Sequence, residues 1–142
     1  MKESIMPRRQ TKTPPNTHQT MKNVSFEMIV ASRLMQDGWQ VFTPILDHGH
    51  QTDLLISDGP NYYRVQVKTV TAKGDDHVVE NHWKESHVDV VIYFARNSNW
   101  GVVAPAFTEK SRALNHPDHQ KFESNSKKGF LTAFHKLETN IK

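Results

Sequence analysis

Three polar side chains fall on a predicted β-hairpin with the spacing of a hydrolytic metal site. The segment from Asp53 to Lys68 contains two β-prone runs separated by a turn rich in Ser, Asp, Gly, Pro and Asn. Side chains alternate across a strand, so Gln66 and Lys68 share one face of the second strand. An antiparallel hairpin would bring Asp53 next to both of them.

This set of groups suits a hard divalent cation. The Asp53 carboxylate, the Gln66 amide oxygen and the main-chain carbonyl of Val67 are the oxygen ligands that Mg²⁺ prefers, and Mg²⁺ keeps positions open for water and phosphate oxygens. Lys68 would position or deprotonate an attacking water, or stabilise the charge that grows on the phosphate oxygens. The pattern predicts metal-assisted hydrolysis of a phosphodiester, with Mg²⁺, or Mn²⁺ as an alternative, as the cofactor.

A fourth candidate, Glu27, lies on a helix predicted from Asn23 to Gly38. Val30, Ala31 and Leu34 form an apolar stripe at helical spacing, and Glu27 extends that stripe toward the N-terminus. A buried, unpaired carboxylate is costly, so Glu27 needs a cation, a hydrogen-bond partner or a place next to water. Two interpretations stay open: a metal-site carboxylate, or a first-turn carboxylate that interacts favourably with the helix dipole.

The remaining pattern predicts an α/β fold. After the helix we expect a strand at 39–42, the hairpin, a short strand at 78–80, a short helix at 81–86 and a strand at 88–95 covered on both faces. A partner strand at 100–104, a helix near 109–114, a loop at 116–118 and a final helix from about Phe122 or Phe130 to Leu137 follow. This order indicates a central mixed sheet flanked by helices.

These motifs together resemble a known group of enzymes. Glu27 on a first helix, the G-W-x-V run that starts at Gly38, Asp53 at a strand boundary and the Gln66-Val67-Lys68 triplet are similar to the PD-(D/E)xK nuclease superfamily. Within it, the chain most resembles group I intron-associated homing endonucleases with a Q-x-K motif, and next archaeal Holliday-junction resolvases. The resemblance covers roughly residues 23–105.

The resemblance implies a restriction-endonuclease-like core of order α-β-β-β-α-β and a DNA endonuclease activity that leaves a 5′-phosphate. It implies that Glu27, Asp53 and Gln66 help to bind the metal and that Lys68 assists the nucleophilic water. The chain departs from the family pattern at two positions, because Thr52 replaces the proline of the motif and Gln66 replaces the usual acid. The neutral Gln66 keeps an alternative open, a catalytically retired nucleic-acid-binding protein on the same fold.

Charge is distributed unevenly along the chain. The net charge of +3 consists of +4 in residues 1–22, −4 in residues 23–105 and +3 in residues 106–142. Basic ends around an acidic centre match a protein that binds a cation in the middle and a polyanion at its flanks. We expect double-stranded or branched DNA as the partner, with contacts from Arg8, Arg9, Lys12, Lys73, Lys127 and Lys128.

We expect a disordered basic arm over residues 1–22, where three prolines interrupt a polar run, and one nuclease-like domain over residues 23–142 with a basic helical segment from about 106. The chain has no cysteine and no apolar run long enough to span a membrane, which favours a soluble, cytoplasmic protein in a reducing compartment. Because cutting both DNA strands requires two sites, we expect a homodimer or higher homo-oligomer, joined through Val102 and Val103 or the C-terminal phenylalanines.

Two other groups of residues compete for a functional role. Asp47 is an alternative acid to Asp53, but it lies in a loop outside the hairpin. The pairs His48 with His50 and His116 with His119 have spacings that metals use, but neither has an obvious third ligand.

Overall fold

The computed structural model of the chain describes residues 6–46, 49–83 and 86–138. The elements in this part of the chain are α1 (Pro15–Gln36), β1 (Gln40–Phe42), β2 (Leu54–Ser57), β3 (Tyr62–Val70), β4 (Val78–Glu80), β5 (Val90–Ala95), β6 (Gly101–Pro105), β7 (Ser111–Ala113), β8 (Gln120–Phe122) and α2 (Lys127–Glu138). Asp47 and His48 lie outside the described residues, so the structure does not test them as ligands.

Six strands form one mixed sheet in the order β1-β2-β3-β5-β6-β8. The β3 and β5 strands run parallel, with Gln66 opposite Val91, whereas all other neighbouring pairs in this sheet are antiparallel. The predicted hairpin is therefore present as β2 and β3, with Leu54 opposite Val65. Its second strand continues into the centre of the sheet, where it pairs on both sides.

Two apolar cores cover the opposite faces of this sheet. On one face, side chains of α1 and α2 such as Leu34 and Phe130 pack against residues of the sheet such as Ile92. On the other face, β4 and β7 pair as a small antiparallel sheet, and this layer packs on Val91 and Tyr93 of β5. All six residues of β5 are buried. The predicted α/β class and central mixed sheet are confirmed, and both helices lie on the same face.

Helix α1 is longer than predicted, which corrects the expected arm over residues 1–22. The helix begins at Pro15, so the last eight residues of that segment are helical. Proline suits the first helical position because its fixed φ is already helical and its missing N–H would be unpaired there. The prediction failed because this part of α1 lacks an apolar stripe directed at the sheet. Residues 6–14 precede the helix without regular structure.

The connection from β3 to β5 differs from the predicted core, which placed a helix there. The predicted strand at 78–80 is present as β4, but the described residues of the predicted helix at 81–86 are not helical. Asn81 explains this result, since its side-chain oxygen accepts from the Trp83 N–H and its amide donates to the Phe107 carbonyl. These bonds hold the backbone in a turn that competes with a helix.

Two further predictions near the C-terminus were wrong. Residues 111–113 form strand β7 instead of a helix, because pairing of Ala113 with Val78 outweighs the helix propensity of this segment. Strand β8 was missed entirely, although Phe122 lies opposite Gly101 of β6 and extends the main sheet. The predicted final helix is present as α2.

The expected interface residues are part of the core. Val102 and Val103 lie in β6 with 1% and 0% of their surface exposed, and Phe130 and Phe134 of α2 are also buried. A second subunit would not reach these side chains without unfolding of the domain. Among the described residues, neither helix is long and apolar enough to cross a membrane.

Candidate active site

Asp53 lies where the hairpin ladder ends. Strand β2 begins at Leu54, and the Asp53 main-chain N–H still donates to the Val65 carbonyl at 3.0 Å. Two residues further along β3, the N–H of Val67 donates to Oδ2 of Asp53 at 2.8 Å. The Asp53 side chain thus accepts the Val67 N–H, which the main chain of β2 would have paired if that strand extended further. This charge-assisted bond fixes the carboxylate against the middle of β3.

Val67 contributes a second oxygen on the same side of β3. The N–H and the carbonyl of one residue leave a strand in the same lateral direction. Because the Val67 N–H points to Asp53, its carbonyl also faces the edge of β3 beyond the start of β2. The Val67 carbonyl oxygen, which the sequence analysis predicts as a metal ligand, therefore lies on the same side of β3 as Asp53.

Glu27 approaches Asp53 from helix α1. A cleft of about 280 Å³ lies between α1 and the start of β2, and its walls include Val24, Glu27, Met28, Thr43, Pro44, Asp53 and Leu54. Glu27 is half-buried, as is Asp53. The stripe on α1 therefore carries its N-terminal carboxylate to the cleft, where Glu27 and Asp53 line the same wall. Such a pair attracts a cation.

Lys68 lies near Asp53 on β3 and is half-buried. Burial lowers the pKa of the Lys68 amine, and the negative charge of Asp53 opposes this effect in part. The neutral amine consequently becomes accessible at a lower pH than for a lysine in water. A lowered pKa makes Lys68 a better candidate for a proton acceptor than a fully solvated lysine.

Gln66 is buried, with 6% of its surface exposed, and its amide meets a partner that the sequence analysis did not identify. Nε2 of Gln66 donates to Oε1 of Gln51 at 2.7 Å. Oε1 of Gln66 is buried and accepts no hydrogen bond from any described residue. No spacing rule indicates Gln51, because it lies in a loop and only the tertiary fold brings it to β3.

The residues of this site fit Mg²⁺ by their chemistry. Glu27 and Asp53 share a cleft, Asp53 accepts the N–H of Val67, and the neighbouring Gln66 has a buried amide oxygen without a donor. These are oxygen groups of the kind that Mg²⁺ prefers. Within residues 6–46, 49–83 and 86–138, no three His, Asp or Glu side chains come together as a metal cluster. A cation at this site would thus depend on the amide and main-chain oxygens in addition to Glu27 and Asp53.

His116 and His119, the two histidines near the C-terminus, help to hold the conformation of their own loop. Nδ1 of His119 lies 3.1 Å from the Leu114 carbonyl, and burial lowers the pKa of His119 to about 4. Nδ1 of His116 accepts the N–H of Asp118 at 3.0 Å. Each ring therefore has one nitrogen engaged with the main chain of its own loop.

The six expected DNA contacts lie on three separate segments, and all are exposed. Arg8, Arg9 and Lys12 precede α1, Lys73 follows β3, and Lys127 and Lys128 form the first turn of α2. The fold does not bury any of these charges.

Comparison with known proteins supports the fold. No protein-family model matches the chain, and no curated protein matches it in sequence. Among solved structures, the bacterial homing endonuclease I-Ssp6803I is similar, with a TM-score of 0.53, 18% identity, and coverage of 85% of this chain and 95% of that chain. A Holliday junction resolvase, Hjc from the archaeal hyperthermophile Archaeoglobus fulgidus, matches with a TM-score of 0.45, 14% identity, and coverage of 72% of this chain and 84% of that chain. At the level of the fold, the resemblance to homing endonucleases is confirmed: this chain shares the fold of one of them.

Proposed function

We propose that this protein is a metal-dependent DNA endonuclease that hydrolyses phosphodiester bonds, of the homing or junction-cleaving type. One observation carries the proposal: the Asp53 carboxylate, held by the Val67 N–H, shares a cleft with Glu27 and lies close to Lys68. The shared fold supports it, since a similar solved structure is described as a bacterial homing endonuclease. The substrate is double-stranded or branched DNA.

Glu27, Asp53, Gln66 and the Val67 carbonyl would hold Mg²⁺ or Mn²⁺, which when bound polarises a phosphate oxygen and makes water more acidic. Lys68 supplies the proton transfer. In its neutral form Nζ takes a proton from the attacking water, whose oxygen bonds to phosphorus. The bond from phosphorus to the 3′ oxygen then breaks, which leaves a 5′-phosphate and, after protonation by solvent, a 3′-hydroxyl. The lowered pKa of Lys68 supports this role.

The direct test is cleavage of supercoiled plasmid and of a synthetic four-way junction in Mg²⁺, in Mn²⁺ and in EDTA. Asp53→Asn and Lys68→Met should each lower the rate by about 100-fold or more, because each removes a group that acts on the reacting atoms. Matched controls are Asp76→Asn and Lys110→Met, which alter exposed residues away from the cleft. Cleavage that persists in EDTA, or that survives both site substitutions, would contradict the proposal.

A second candidate function rests on Gln66. A neutral amide where a metal site usually holds an acid supports a nucleic-acid-binding protein that does not cut. This function predicts salt-sensitive DNA binding without cleavage under any metal condition, and binding that is unaffected by Lys68→Met. The plasmid and junction assays, combined with a filter-binding titration, distinguish the two functions.

We propose a homo-oligomer that contacts its second copy through α1. Met21, Val24 and Met28 occupy positions i, i+3 and i+7 of the helix and are 57%, 46% and 62% exposed. Apolar side chains at this spacing form one face, and the same face on two copies can pack in an antiparallel, two-fold arrangement. Because Val24 and Met28 also line the cleft with Asp53, this packing would place each site next to the interface.

Light scattering after size exclusion tests this interface. The wild-type protein should be a dimer or larger at micromolar concentration. Met21→Glu should shift it toward the monomer, because a charge would be buried at the interface. Val78→Glu, an equally exposed apolar position on β4, is the control and should leave the mass unchanged. A wild-type monomer at all concentrations would rule out the interface.

A further inference from the structure

A hydrogen bond between Gln51 and Gln66 engages one end of the Gln66 amide. An amide has a donor end and an acceptor end of nearly the same shape, so only its partners select the orientation. Here Nε2 of Gln66 donates to Oε1 of Gln51 at 2.7 Å. In this arrangement the nitrogen of Gln66 meets Gln51 and the oxygen lies at the opposite end of the amide.

That oxygen is a buried acceptor in need of a partner. Oε1 of Gln66 is buried and receives no hydrogen bond from the described residues, although Gln66 as a whole is more than nine-tenths buried. Most buried polar atoms in folded proteins have a partner, so an unpaired acceptor at this position points to a ligand. Asp53, bonded to the next residue of β3, supplies the adjacent negative charge.

The backbone places Gln51 at this point through an unusual conformation. Its φ is 57°, in the left-handed region that non-glycine residues rarely adopt. The following residue, Thr52, is buried and donates from Oγ1 to the His50 carbonyl at 3.1 Å. The loop therefore enters β2 along a defined path, and the Gln51 side chain reaches β3 from it.

We propose that Gln51 is a positioning residue that orients the Gln66 amide so that its oxygen, and not its nitrogen, faces the divalent cation. The inference rests on the proposed metal-dependent function. A carboxylate at position 66 would present an acceptor in either orientation, whereas a glutamine presents one only if something holds the nitrogen away. Gln51 thus holds the amide in the one orientation in which a glutamine at position 66 can act as a metal ligand.

The test measures metal affinity without DNA or cleavage. Mn²⁺ binding is titrated by calorimetry and by electron paramagnetic resonance for wild type, Gln51→Met, Gln66→Glu and the double variant. Methionine keeps the length of the side chain but removes the acceptor. In the wild-type background, Gln51→Met should weaken Mn²⁺ binding by about tenfold, the size typical of a lost partner behind a metal ligand.

The Gln66→Glu background separates orientation from simple structural support. There both ends of residue 66 accept, so Gln51→Met should change Mn²⁺ affinity by less than about twofold. A purely structural Gln51 would give the same loss in both backgrounds, and that result would overturn the inference. Thermal unfolding of all four proteins shows that each is folded.

The Asp53→Asn variant distinguishes a failure of the proposed Gln51 role from a failure of the proposed metal site. If the wild type binds Mn²⁺, Asp53→Asn abolishes binding and Gln51→Met has no effect, the orienting role of Gln51 is wrong while the metal site stands. If the wild type binds no Mn²⁺ at millimolar concentration, the metal-dependent function and the role of Gln51 are both wrong. Tenfold weakening confined to the Gln66 background supports both.

Discussion

Gln66 is the residue at which the chemistry of the site is most constrained. Its side chain is buried beside Asp53, but it brings no charge to a cation. In the proposed metal site the negative charge would therefore come from Glu27 and Asp53, which line one cleft. Because ligand charge contributes to cation affinity, such a site should bind metal more weakly than one with three acids. Activity would then depend on how well the remaining oxygens are positioned.

Lys68 should give the cleavage rate a distinctive pH dependence. Burial lowers its pKa, so the neutral amine forms below pH 10.5, the ordinary value. If neutral Nζ accepts the proton of the attacking water, the rate should rise about tenfold per pH unit and level off above the lowered pKa. Initial rates from pH 6 to 10 at saturating Mg²⁺ measure this rising limb of the pH–rate profile.

The control for this limb is Lys68→Arg, which keeps a positive charge but does not deprotonate in this range. We expect a rate loss of about 100-fold or more and disappearance of the lysine-dependent limb. Retention of most activity in Lys68→Arg would instead show that residue 68 acts as a fixed cation.

His119 should make the fold sensitive to acid. Its pKa falls from an ordinary 6.5 to about 4 because the neutral ring is buried. Between these values the unfolded chain binds the proton and the folded chain does not, so stability falls as pH decreases from about 6.5 to 4 and is unaffected by this group above 6.5. The contribution is on the order of 3 kcal/mol at about 1.4 kcal/mol per pKa unit.

His119→Asn isolates that contribution. The asparagine amide can still donate to the Leu114 carbonyl, but it does not titrate. Urea unfolding at pH 7.5 and pH 4.5 should show a smaller acid-induced loss of unfolding free energy in the variant than in the wild type. An equal loss in both proteins would assign the acid sensitivity to other groups.

At the scale of elements, β6 depends on one glycine for its position between β5 and β8. A methyl group at Gly101 would lie 2.5 Å from the Tyr93 carbonyl oxygen and would collide with the Phe122 ring. The strands must shift to admit it, which costs about 2 kcal/mol in a packed core. Gly101→Ala should lower the urea unfolding free energy by that amount.

Gly74→Ala is the matched control. The nearest atom to its added methyl group would be Oδ1 of Asp76 at 3.3 Å, and this atom belongs to an exposed side chain that can move. We expect a change within about 0.5 kcal/mol. Equal effects of the two substitutions would mean that the packing of β6 against β8 is loose.

Helix α1 links the stability of the fold to the site. Its middle carries the buried stripe that packs on the sheet, and one turn earlier it carries Glu27 to the cleft. Asn23, one further turn back, accepts a hydrogen bond from Thr69 of β3 at 3.2 Å. The helix is thus anchored on both sides of Glu27, which limits the movement of that carboxylate relative to Asp53.

At the scale of the whole molecule, the basic ends should determine the electrostatic part of DNA binding. Residues 1–14 contain Lys2, Arg8, Arg9 and Lys12 against Glu3. Removing them should reduce the slope of log affinity against log salt by about 3, because about three fewer counterions are released. Affinity for non-specific duplex should fall accordingly, as measured by fluorescence anisotropy from 50 to 300 mM salt.

The charge control is the full-length chain with Arg8, Arg9 and Lys12 changed to Gln. It should reproduce most of the change in salt slope, since the effect comes from the three charges. If both variants kept the wild-type slope of log affinity against log salt, the phosphate contacts would instead come from Lys73, Lys127 and Lys128.

Much of the main sheet was readable from the sequence. Period-two alternation from Tyr62 onward and the turn before it specify the hairpin, and the uniformly apolar β5 specifies a strand buried on both faces. These signals are local, because burial of each side chain follows from its position along one element. The approach of Asp53 to β3 followed from the hairpin register alone.

The rest was decided by contacts between distant segments. Pairing of Ala113 with Val78 turned a helix-prone segment into β7, and pairing with β6 created β8. The same is true within the site, since neither composition nor spacing connects the loop residue Gln51 to Gln66. The sequence by itself thus determined which acids and lysine are available and on or next to which elements they lie. Only the tertiary structure decided which atom of Gln66 remains without a partner, because an amide takes its orientation from neighbours that the chain brings together on folding.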